Sequence, residues 1–367
     1  MLLSKLNILH LRNIHDLSVH CHPGANVLFG DNGSGKTSFL ESIYILGRGR
    51  SFKHRDLRLV VESGQAELVV SAQILSDPSS DCRQLGVKRT IEGRFEARYD
   101  GVVIDTASEL AAELPLQLID AHSFLLLEGG AMQRRQFVDW GVFHVEPAYA
   151  GLWRRFQKAL KQRNQLLRHD RIEPEQLAVW TREFVALSDA IAVHRDNYLA
   201  ELQAEVVTIA HFFDGLGALH FEHERGWSRE QTLDVVMAAD NGRDCRFGKT
   251  HHGAHRGDLK VRVDGVLAGE RLSRGQLKLL IYAMKLAQAA LYRRKAGQAC
   301  VFLLDDLPAE LDYHHREQVV ECLNGLGCQY FMTGVDKRDF LSLVENTAHQ
   351  MFHVEHGVVT AQSITGS

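Results

Sequence analysis

Residues 30–37 read Gly30-Asp31-Asn32-Gly33-Ser34-Gly35-Lys36-Thr37. This segment fits the pattern G-x-x-x-x-G-K-[ST]; an apolar run, residues 25–29, precedes it, and apolar residues with helical spacing follow it. In such a strand–loop–helix context the glycines let backbone N–H groups close around phosphate oxygens, and the helix N-terminus adds partial positive charge. The segment therefore predicts a phosphate-binding loop (P-loop) within an α/β fold.

The last two residues of the loop have separate expected roles. The Lys36 ammonium is expected to reach the β- and γ-phosphates of a nucleoside triphosphate, and the Thr37 hydroxyl to bind Mg²⁺. We therefore predict ATP and Mg²⁺ as ligands, residues 30–37 as the nucleotide-binding segment, and Lys36 as a catalytic residue.

A second motif combines four apolar residues, Val301 to Leu304, with Asp305 and Asp306. The apolar run is typical of a buried parallel strand, and ligands bind at the carboxyl ends of such strands. Asp305 is expected to hold Mg²⁺, through water, and Asp306 to orient or deprotonate the attacking water. The alternative is that the two carboxylates only cap the next helix.

A third motif, Leu272-Ser273-Arg274-Gly275-Gln276, opens a predicted helix about thirty residues before Asp305. A Ser hydroxyl and a Gly N–H at a helix N-terminus form another anion site. One nucleotide rarely needs two such sites in one chain, so Ser273, Gly275 and Gln276 are expected to cap the γ-phosphate bound by a second subunit. For this motif alone, an ordinary N-cap by Ser273 is the alternative.

The three motifs in this order resemble the ABC-ATPase class, in which L-S-x-G-Q is the signature. Strand patterns dominate both ends of the chain, whereas helical spacing dominates the middle, with a turn expected at residues 168–173. We predict an α/β ABC-ATPase P-loop head from residues 1–115 and 255–367. Residues 116–254 are predicted to form an inserted, mainly helical arm domain.

Within that class the chain resembles the RecF family of bacterial repair proteins from its first strand to about Asp312. The segments that carry the resemblance are Leu9-His10-Leu11-Arg12-Asn13, Leu40-Glu41-Ser42-Ile43, Gly47-Arg48-Gly49-Arg50-Ser51-Phe52, Gly129-Gly130, Arg134-Arg135-Gln136-Phe137-Val138-Asp139-Trp140, Lys161-Gln162-Arg163-Asn164, His255-Arg256 and Asp258-Leu259. The resemblance implies an SMC/Rad50-like head, an ATP-driven homodimer that clamps DNA, and a RecR-type mediator as partner. It also implies recombinational repair of single-strand gaps, replication restart and induction of the SOS response.

Some positions depart from the family pattern. Ala131 and Ala254 stand where the family usually has proline. Glu310-Leu311-Asp312 is similar to the D-loop of the ABC class, but Ala309 replaces the D-loop Ser, after an unusual Pro308. The predicted strand that ends at Thr333-Gly334 lacks the His that many ABC ATPases carry there. We therefore expect slow, DNA-stimulated ATP hydrolysis that acts as a switch.

Composition limits where DNA can bind. The 367 residues carry a formal net charge of −4, so DNA contact requires a local basic patch. A basic run in the middle segment supplies one candidate, with a solvated helix face as the alternative. Its predicted DNA-binding residues are Arg154, Arg155, Lys158 and Lys161, and Arg163, Arg168 and Arg171 extend it.

The remaining features predict a cytoplasmic, soluble protein. The six cysteines form no C-x-x-C pair, and no stretch reaches the roughly 18 apolar residues of a membrane span. Two rival functions remain. A transporter ATPase subunit leaves the helical insertion unexplained, and an SMC-like structural DNA tether requires a far longer coiled coil. DNA-stimulated ATPase activity without membranes would separate these possibilities.

Overall fold

The computed structural model of the protein describes residues 1–76, 81–169 and 173–362. It divides into two compact units, Met1–Ser123 with Tyr292–Ser367, and Phe124–Leu291. This division assigns residues 255–291 to the middle unit, whereas the boundaries expected from sequence at 115 and 255 stay a prediction. Part of the expected turn at 168–173, including Arg171, lies outside the described residues.

The N-terminal part of the first unit is mostly β-structure around one long helix. In chain order its elements are β1 (Leu2–Leu11), β2 (Ile14–His20), β3 (Ala25–Phe29), α1 (Lys36–Arg48), β4 (Glu67–Leu75), β5 (Arg83–Thr90), β6 (Phe95–Tyr99), β7 (Val102–Ile104), α2 (Ala107–Glu113) and β8 (Leu116–Ile119). A two-residue turn, Asp100-Gly101, joins β6 to β7, with φ of 48° and 80° at these residues. These are the left-handed conformations that a two-residue hairpin turn requires.

The second unit contains the long helices that the apolar spacing predicts. Its elements are α3 (Leu125–Glu128), α4 (Ala131–Val145), α5 (Tyr149–Leu167), α6 (Pro174–Ala210), β9 (Leu219–Glu224), α7 (Leu233–Ala239), α8 (Asn241–Phe247), β10 (Asp258–Val263), β11 (Val266–Leu267), α9 (Ala268–Arg271) and α10 (Arg274–Ala296), whose residues from 292 onward belong to the first unit. Helices α5 and α6 pack together, as expected, with Phe156 stacked on Phe184. The unit also contains a sheet of order β11-β10-β9.

The C-terminal part of the chain completes the first unit. Its elements are β12 (Val301–Leu304), α11 (Leu307–Glu310), α12 (Tyr313–Gly325), β13 (Gln329–Gly334), α13 (Arg338–Val344), β14 (His349–Glu355) and β15 (Val358–Gln362). β12 matches the predicted strand residue for residue, and all four of its side chains are buried, as expected for a central parallel strand.

Two sheets form the frame of the first unit. One has the order β2-β1-β4-β5-β6-β7, and the other the order β15-β14-β3-β13-β12-β8. In the second sheet β3, β13, β12 and β8 run parallel, so the carboxyl ends of these strands share one edge. Helix α1 contacts strands of both sheets and buries Phe39, Leu40 and Ile43 in their common core. No helix within the described ranges is both long and apolar enough to cross a bilayer.

Candidate nucleotide site

The P-loop connects β3 to α1, as the sequence predicts. All five residues of β3 are buried, and α1 begins at Lys36 directly after Gly35. Gly30 has φ of 148°, and a Cβ atom at this position would collide with the carbonyl oxygen of Val354. The Gly30 N–H donates a hydrogen bond of 3.1 Å to the Val335 carbonyl. Glycine at this position therefore lets the loop leave the buried strand next to β14.

The Lys36 side chain folds back along the loop. Its Nζ donates hydrogen bonds to the carbonyl oxygens of Gly30 at 2.6 Å and Asp31 at 2.8 Å. Burial lowers the pKa of Lys36, and the nearby carboxylates of Asp306 and Asp305 act in the opposite direction. The ammonium group thus lies within the loop itself, where it adds positive charge to the N-terminus of α1.

Thr37 and Asp305 meet at the carboxyl edge of the parallel sheet. The Thr37 hydroxyl donates a hydrogen bond of 3.1 Å to Asp305 Oδ1. Mg²⁺ prefers oxygen ligands and usually keeps several waters, so a hydroxyl can bind the ion directly while a neighbouring carboxylate binds it through water. Burial raises the pKa of the Asp305 carboxyl, and this effect exceeds the lowering by the hydrogen bonds from Thr333 and Thr37. The hydroxyl and the carboxylate together fit a magnesium site.

Asp306 differs from its neighbour in conformation and exposure. It has a left-handed backbone, with φ of 56°, and its side chain is exposed. The Asp306 N–H donates a hydrogen bond of 2.8 Å to the Thr333 hydroxyl, which itself donates to Asp305 Oδ1 at 2.9 Å. The turn therefore directs the Asp305 carboxylate inward and leaves the Asp306 carboxylate open to water, consistent with the two roles that we expect.

Two supporting residues have no role in the sequence-based prediction. Buried Thr333 fixes both aspartates, as described above. Asn13, in the turn between β1 and β2, donates from Nδ2 to the Ser34 carbonyl at 3.0 Å and accepts from the Ser38 hydroxyl at 3.1 Å. Thr333 could have been found from the sequence, because it is a polar residue near the end of the apolar strand β13. The role of Asn13 could not, because its contact with the P-loop depends on the tertiary fold.

A cavity of about 490 Å³ lies on one flank of the P-loop. It is lined by Phe29, Gly30, Asp31, Asn32, Gly33, Ser34, Val335, Asp336, Lys337, His353, Val354, Glu355 and His356. The P-loop residues that line it are Gly30 to Ser34, and Lys36, Thr37 and the two aspartates are not part of the lining. The hairpin of β14 and β15, which was not predicted from the sequence, contributes to the lining, as does the loop following β13.

The signature residues belong to the second unit and begin helix α10. The Ser273 N–H donates to Gln276 Oε1 at 3.0 Å, and the Gln276 N–H donates to the Ser273 hydroxyl at 3.3 Å. This reciprocal pair is a capping box, so the ordinary N-cap that was the alternative is present. Gln276 Nε2 also donates to the Gly215 carbonyl at 2.9 Å. Gly275 is exposed, and a Cβ atom there would meet only Ser273 Oγ, at 4.0 Å.

The basic run lies on α5, and most of it is on the surface. Arg154, Arg155, Lys158 and Lys161 are all exposed, although Arg155 forms an ion pair of 2.6 Å with Glu183. Arg163 was predicted to extend this basic surface, and that prediction is wrong. The residue is buried and forms an ion pair of 2.8 Å with Asp244. Its position repeats the apolar spacing of α5, so it faces the core of the second unit instead of the solvent.

Several of the residues that carry the family resemblance have structural roles in the second unit. Arg134 binds both carboxylate oxygens of Asp258, at 2.7 and 2.9 Å. Arg195 binds both carboxylate oxygens of Asp139, at 2.8 and 3.0 Å, and donates to the Ala254 carbonyl at 2.7 Å. These bidentate pairs join α4 to β10 and to α6, and thereby organise the unit.

Known proteins resemble the chain along nearly its whole length. Residues 2–360 match the family model described as RecF/RecN/SMC N terminal domain. The chain is 42% identical to the DNA replication and repair protein RecF of Pseudomonas paraeruginosa over 100% of both chains. It is also 42% identical to the protein of the same name from Azotobacter vinelandii, over 98% of each.

Solved structures show the same fold. One described as "Structure of the recombination mediator protein RecF-ATP in RecFOR pathway" has a TM-score of 0.87 at 20% identity, covering 99% of this chain and 98% of that one. An Smc head bound to the C-winged helix domain of ScpA has a TM-score of 0.60 at 14% identity, covering 100% of this chain and 98% of that one. These matches give the chain the fold of an ABC-ATPase head of the SMC type. On the full-length similarity to its relatives and the match to the family model, the chain belongs to the RecF family.

Proposed function

We propose that this chain is an ATP-dependent DNA-binding protein of RecF type. It acts in recombinational repair of single-strand gaps, replication restart and SOS induction, in the cytoplasm and with a RecR-type mediator protein as partner. The support for this role is family membership: relatives at 42% identity are named DNA replication and repair proteins. A protein of the same fold is described as a recombination mediator in the RecFOR pathway.

ATP binds along the P-loop, residues 30–37, with Lys36 on the β- and γ-phosphates. The observation that carries this proposal is the 3.1 Å hydrogen bond from Thr37 Oγ1 to Asp305 Oδ1, which places a hydroxyl and a carboxylate beside the loop. Mg²⁺ held by Thr37 and by Asp305, through water, would neutralise phosphate charge. Asp306, exposed next to Asp305, orients or deprotonates the attacking water.

A second subunit completes the site. Ser273, Gly275 and Gln276 of one subunit meet the γ-phosphate held by the P-loop of the other, so ATP closes a homodimer. The exposed start of a 23-residue helix, with an unobstructed glycine, supports this role. The closed dimer holds DNA, with Arg154, Arg155, Lys158 and Lys161 on its phosphates, and slow hydrolysis releases it.

The structure argues against the rival of an extended tether. Helix α6, with 37 residues, is about 55 Å long at 1.5 Å per residue. A structural tether of the SMC kind requires a far longer coiled coil between the ATPase motifs. A transporter subunit differs in requiring a membrane partner for its activity.

The test is DNA binding and ATP turnover without membranes. The purified chain is titrated with gapped, single-stranded and duplex DNA, with and without ATP, and its ATPase rate is measured with each DNA. We expect ATP to tighten DNA binding and DNA to raise the ATPase rate. DNA affinity independent of ATP, together with an ATPase rate independent of DNA, would contradict the proposal.

A further inference from the structure

Two histidines face each other across the β1–β2 hairpin, outside the proposed phosphate site. In the antiparallel register Leu9 pairs with Asp16 and Leu11 with Ile14, which places His10 and His15 between these two pairs. Side chains at opposed positions project to the same face of a sheet, with Cβ atoms about 4.5–5.5 Å apart. The two imidazole ring centroids are 4.9 Å apart. The hairpin therefore brings two nitrogen ligands together.

Glu62 supplies an oxygen ligand to the same point. Its backbone N–H donates to the His10 carbonyl at 2.9 Å, which fixes the segment beside the hairpin. Glu62 Oε2 lies 2.7 Å from His10 Nδ1 and 3.0 Å from His15 Nδ1. All the ligand atoms lie within 4.8 Å of one another, and residues 1–76, 81–169 and 173–362 contain no other such group of His, Cys, Asp or Glu.

We propose that His10, His15 and Glu62 form a site for a divalent cation of borderline softness, with Zn²⁺ as the best match. Two imidazoles and a carboxylate are a zinc ligand set that leaves a fourth position open. Ligand atoms of a tetrahedral zinc ion lie roughly 3.3 Å apart, given Zn–N distances of about 2.0–2.1 Å. The observed separations of 2.7 and 3.0 Å from Glu62 Oε2 are near that value, and all three ligand atoms lie within 4.8 Å of one another, so side-chain movements alone can close the site.

The accessibility of the ligands fits a site that exchanges metal with solvent. The side chains of His10 and Glu62 are 19% and 24% exposed, whereas that of His15 is 69% exposed. Without metal, each Nδ1–H donates to the Glu62 carboxylate, and these hydrogen bonds lower the pKa of Glu62. Metal binding replaces both hydrogen bonds with coordinate bonds, and the Nε2 atoms then carry the imidazole protons.

The position of the site links it to the P-loop. The hairpin turn between His10 and His15 carries Asn13, which contacts the Ser34 carbonyl and the Ser38 hydroxyl. A metal that joins both strands to Glu62 restricts this turn and so favours the observed loop conformation. Zn²⁺ and ATP should therefore strengthen each other's binding by the same factor, an expectation that rests on the proposed function.

The site itself is tested without nucleotide. The chelator-treated protein is titrated with ZnCl₂ by calorimetry, beside His15→Ala and Glu62→Gln. His20→Ala is the matched control, because His20 is an exposed histidine on the same strand as His15. We expect one zinc site of the wild type to weaken more than about tenfold in both variants, because even the hydrogen-bond partners of metal ligands contribute that much to affinity. His20→Ala should bind zinc like the wild type.

Unchanged zinc stoichiometry and affinity in folded His15→Ala and Glu62→Gln would overturn the site. A second titration measures the affinity for a non-hydrolysable ATP analogue with free zinc buffered at zero and at saturation. We expect about a fivefold or larger gain for the wild type and none for His15→Ala. If zinc binds but the affinity for the analogue does not rise, only the coupling is overturned. If none of the proteins binds the ATP analogue, the proposed function is overturned. The zinc titration still decides the metal site in that case.

Discussion

The Thr37 hydroxyl and Asp305 Oδ1 are joined by a hydrogen bond of 3.1 Å across 268 positions of sequence. Thr37 lies in the first turn of α1, and Asp305 follows β12. The parallel pairing of β3, β13 and β12 brings these two chain segments to one edge of the sheet. A phosphate-binding loop and a carboxylate thus share a single site, on which the following predictions depend.

We predict that Lys36→Ala weakens ATP binding by about 100-fold or more, because hydrogen bonds to charged groups contribute about 1.5–3 kcal/mol each. Calorimetry with a non-hydrolysable ATP analogue measures this loss. Lys88→Ala is the control, since Lys88 forms a surface ion pair with Glu67 in the same unit. Equal affinity of folded Lys36→Ala and wild type would refute the role of Lys36.

Asp306→Asn should bind ATP and accumulate as dimer while hydrolysing ATP about 100-fold or more slowly, the usual scale for loss of a general base. The amide preserves the shape of the side chain but cannot accept the proton from water. Single-turnover hydrolysis measures the effect, and Glu321→Gln is the control because Glu321 is an exposed carboxylate on α12. A wild-type rate in Asp306→Asn would exclude Asp306 from this step.

Asp305→Asn should stabilise the nucleotide-free protein at neutral pH and abolish its Mg²⁺-dependent ATP binding. Burial raises the folded-state pKa of Asp305 above the ordinary value of 3.8, so the folded chain binds the proton more tightly than the unfolded chain does. Stability from this group therefore falls as the pH rises from 3.8 through the raised pKa. Asn carries no charge and does not incur this loss.

Unfolding of the wild type and of Asp305→Asn is measured by denaturant titration at several pH values. The advantage of the variant should be greatest at neutral pH. It should shrink as the pH falls towards the raised pKa, where the wild-type carboxyl is protonated. A variant less stable than the wild type at neutral pH would show that the hydrogen bonds from Thr37 and Thr333 outweigh the burial of the charge.

Replacing Arg154, Arg155, Lys158 and Lys161 together by Gln should weaken DNA binding with little dependence on base sequence. The plot of log affinity against log salt should become shallower by roughly 0.7–0.9 for each DNA phosphate that the variant no longer neutralises. The control neutralises four basic residues of the first unit, namely Arg58, Lys88, Arg94 and Arg98. If the salt dependence has the same slope in the α5 variant and in the wild type, these residues of α5 form a solvated face and do not contact DNA.

Local signals in the sequence account for the parts of the fold that were predictable. The hairpin turn at Asp264-Gly265 has φ of 50° and 82°, conformations that Asp-Gly adopts readily. β12 was predictable because four consecutive apolar residues precede two aspartates. His356-Gly357 turns β14 into β15 with nearly the same φ values, 48° and 82°, but His-Gly is not one of the usual hairpin dipeptides, and no hairpin was predicted there.

The supporting contacts of the site were not predictable in the same way. Thr333 reaches Asp305 only because β13 lies beside β12, and strand order in a parallel sheet is a long-range property. Arg163 illustrates the opposite case. Composition placed it in a basic run, whereas its helical spacing from Phe156 places it in the core with Asp244. Where charge and periodicity disagreed, periodicity determined its position.

In the proposed mechanism, ATP joins two subunits through Ser273 and Gly275. Ser273→Arg fills the proposed anion site with a bulky side chain and also removes the N-cap of α10, at a cost of about 0.5–2 kcal/mol. Ser273→Ala removes the same cap without the bulk, and is therefore the control for reduced stability. We expect the Arg variant to bind ATP with near-normal affinity but to fail to dimerise or hydrolyse it.

Sedimentation velocity with a non-hydrolysable ATP analogue measures this dimerisation. We expect the wild type to sediment as a dimer with the analogue and as a monomer without it. Ser273→Arg should stay monomeric with the analogue bound, while Ser273→Ala should form measurable dimer. A wild type that stays monomeric with bound analogue, or a Ser273→Arg variant that dimerises like the wild type, would contradict the shared site.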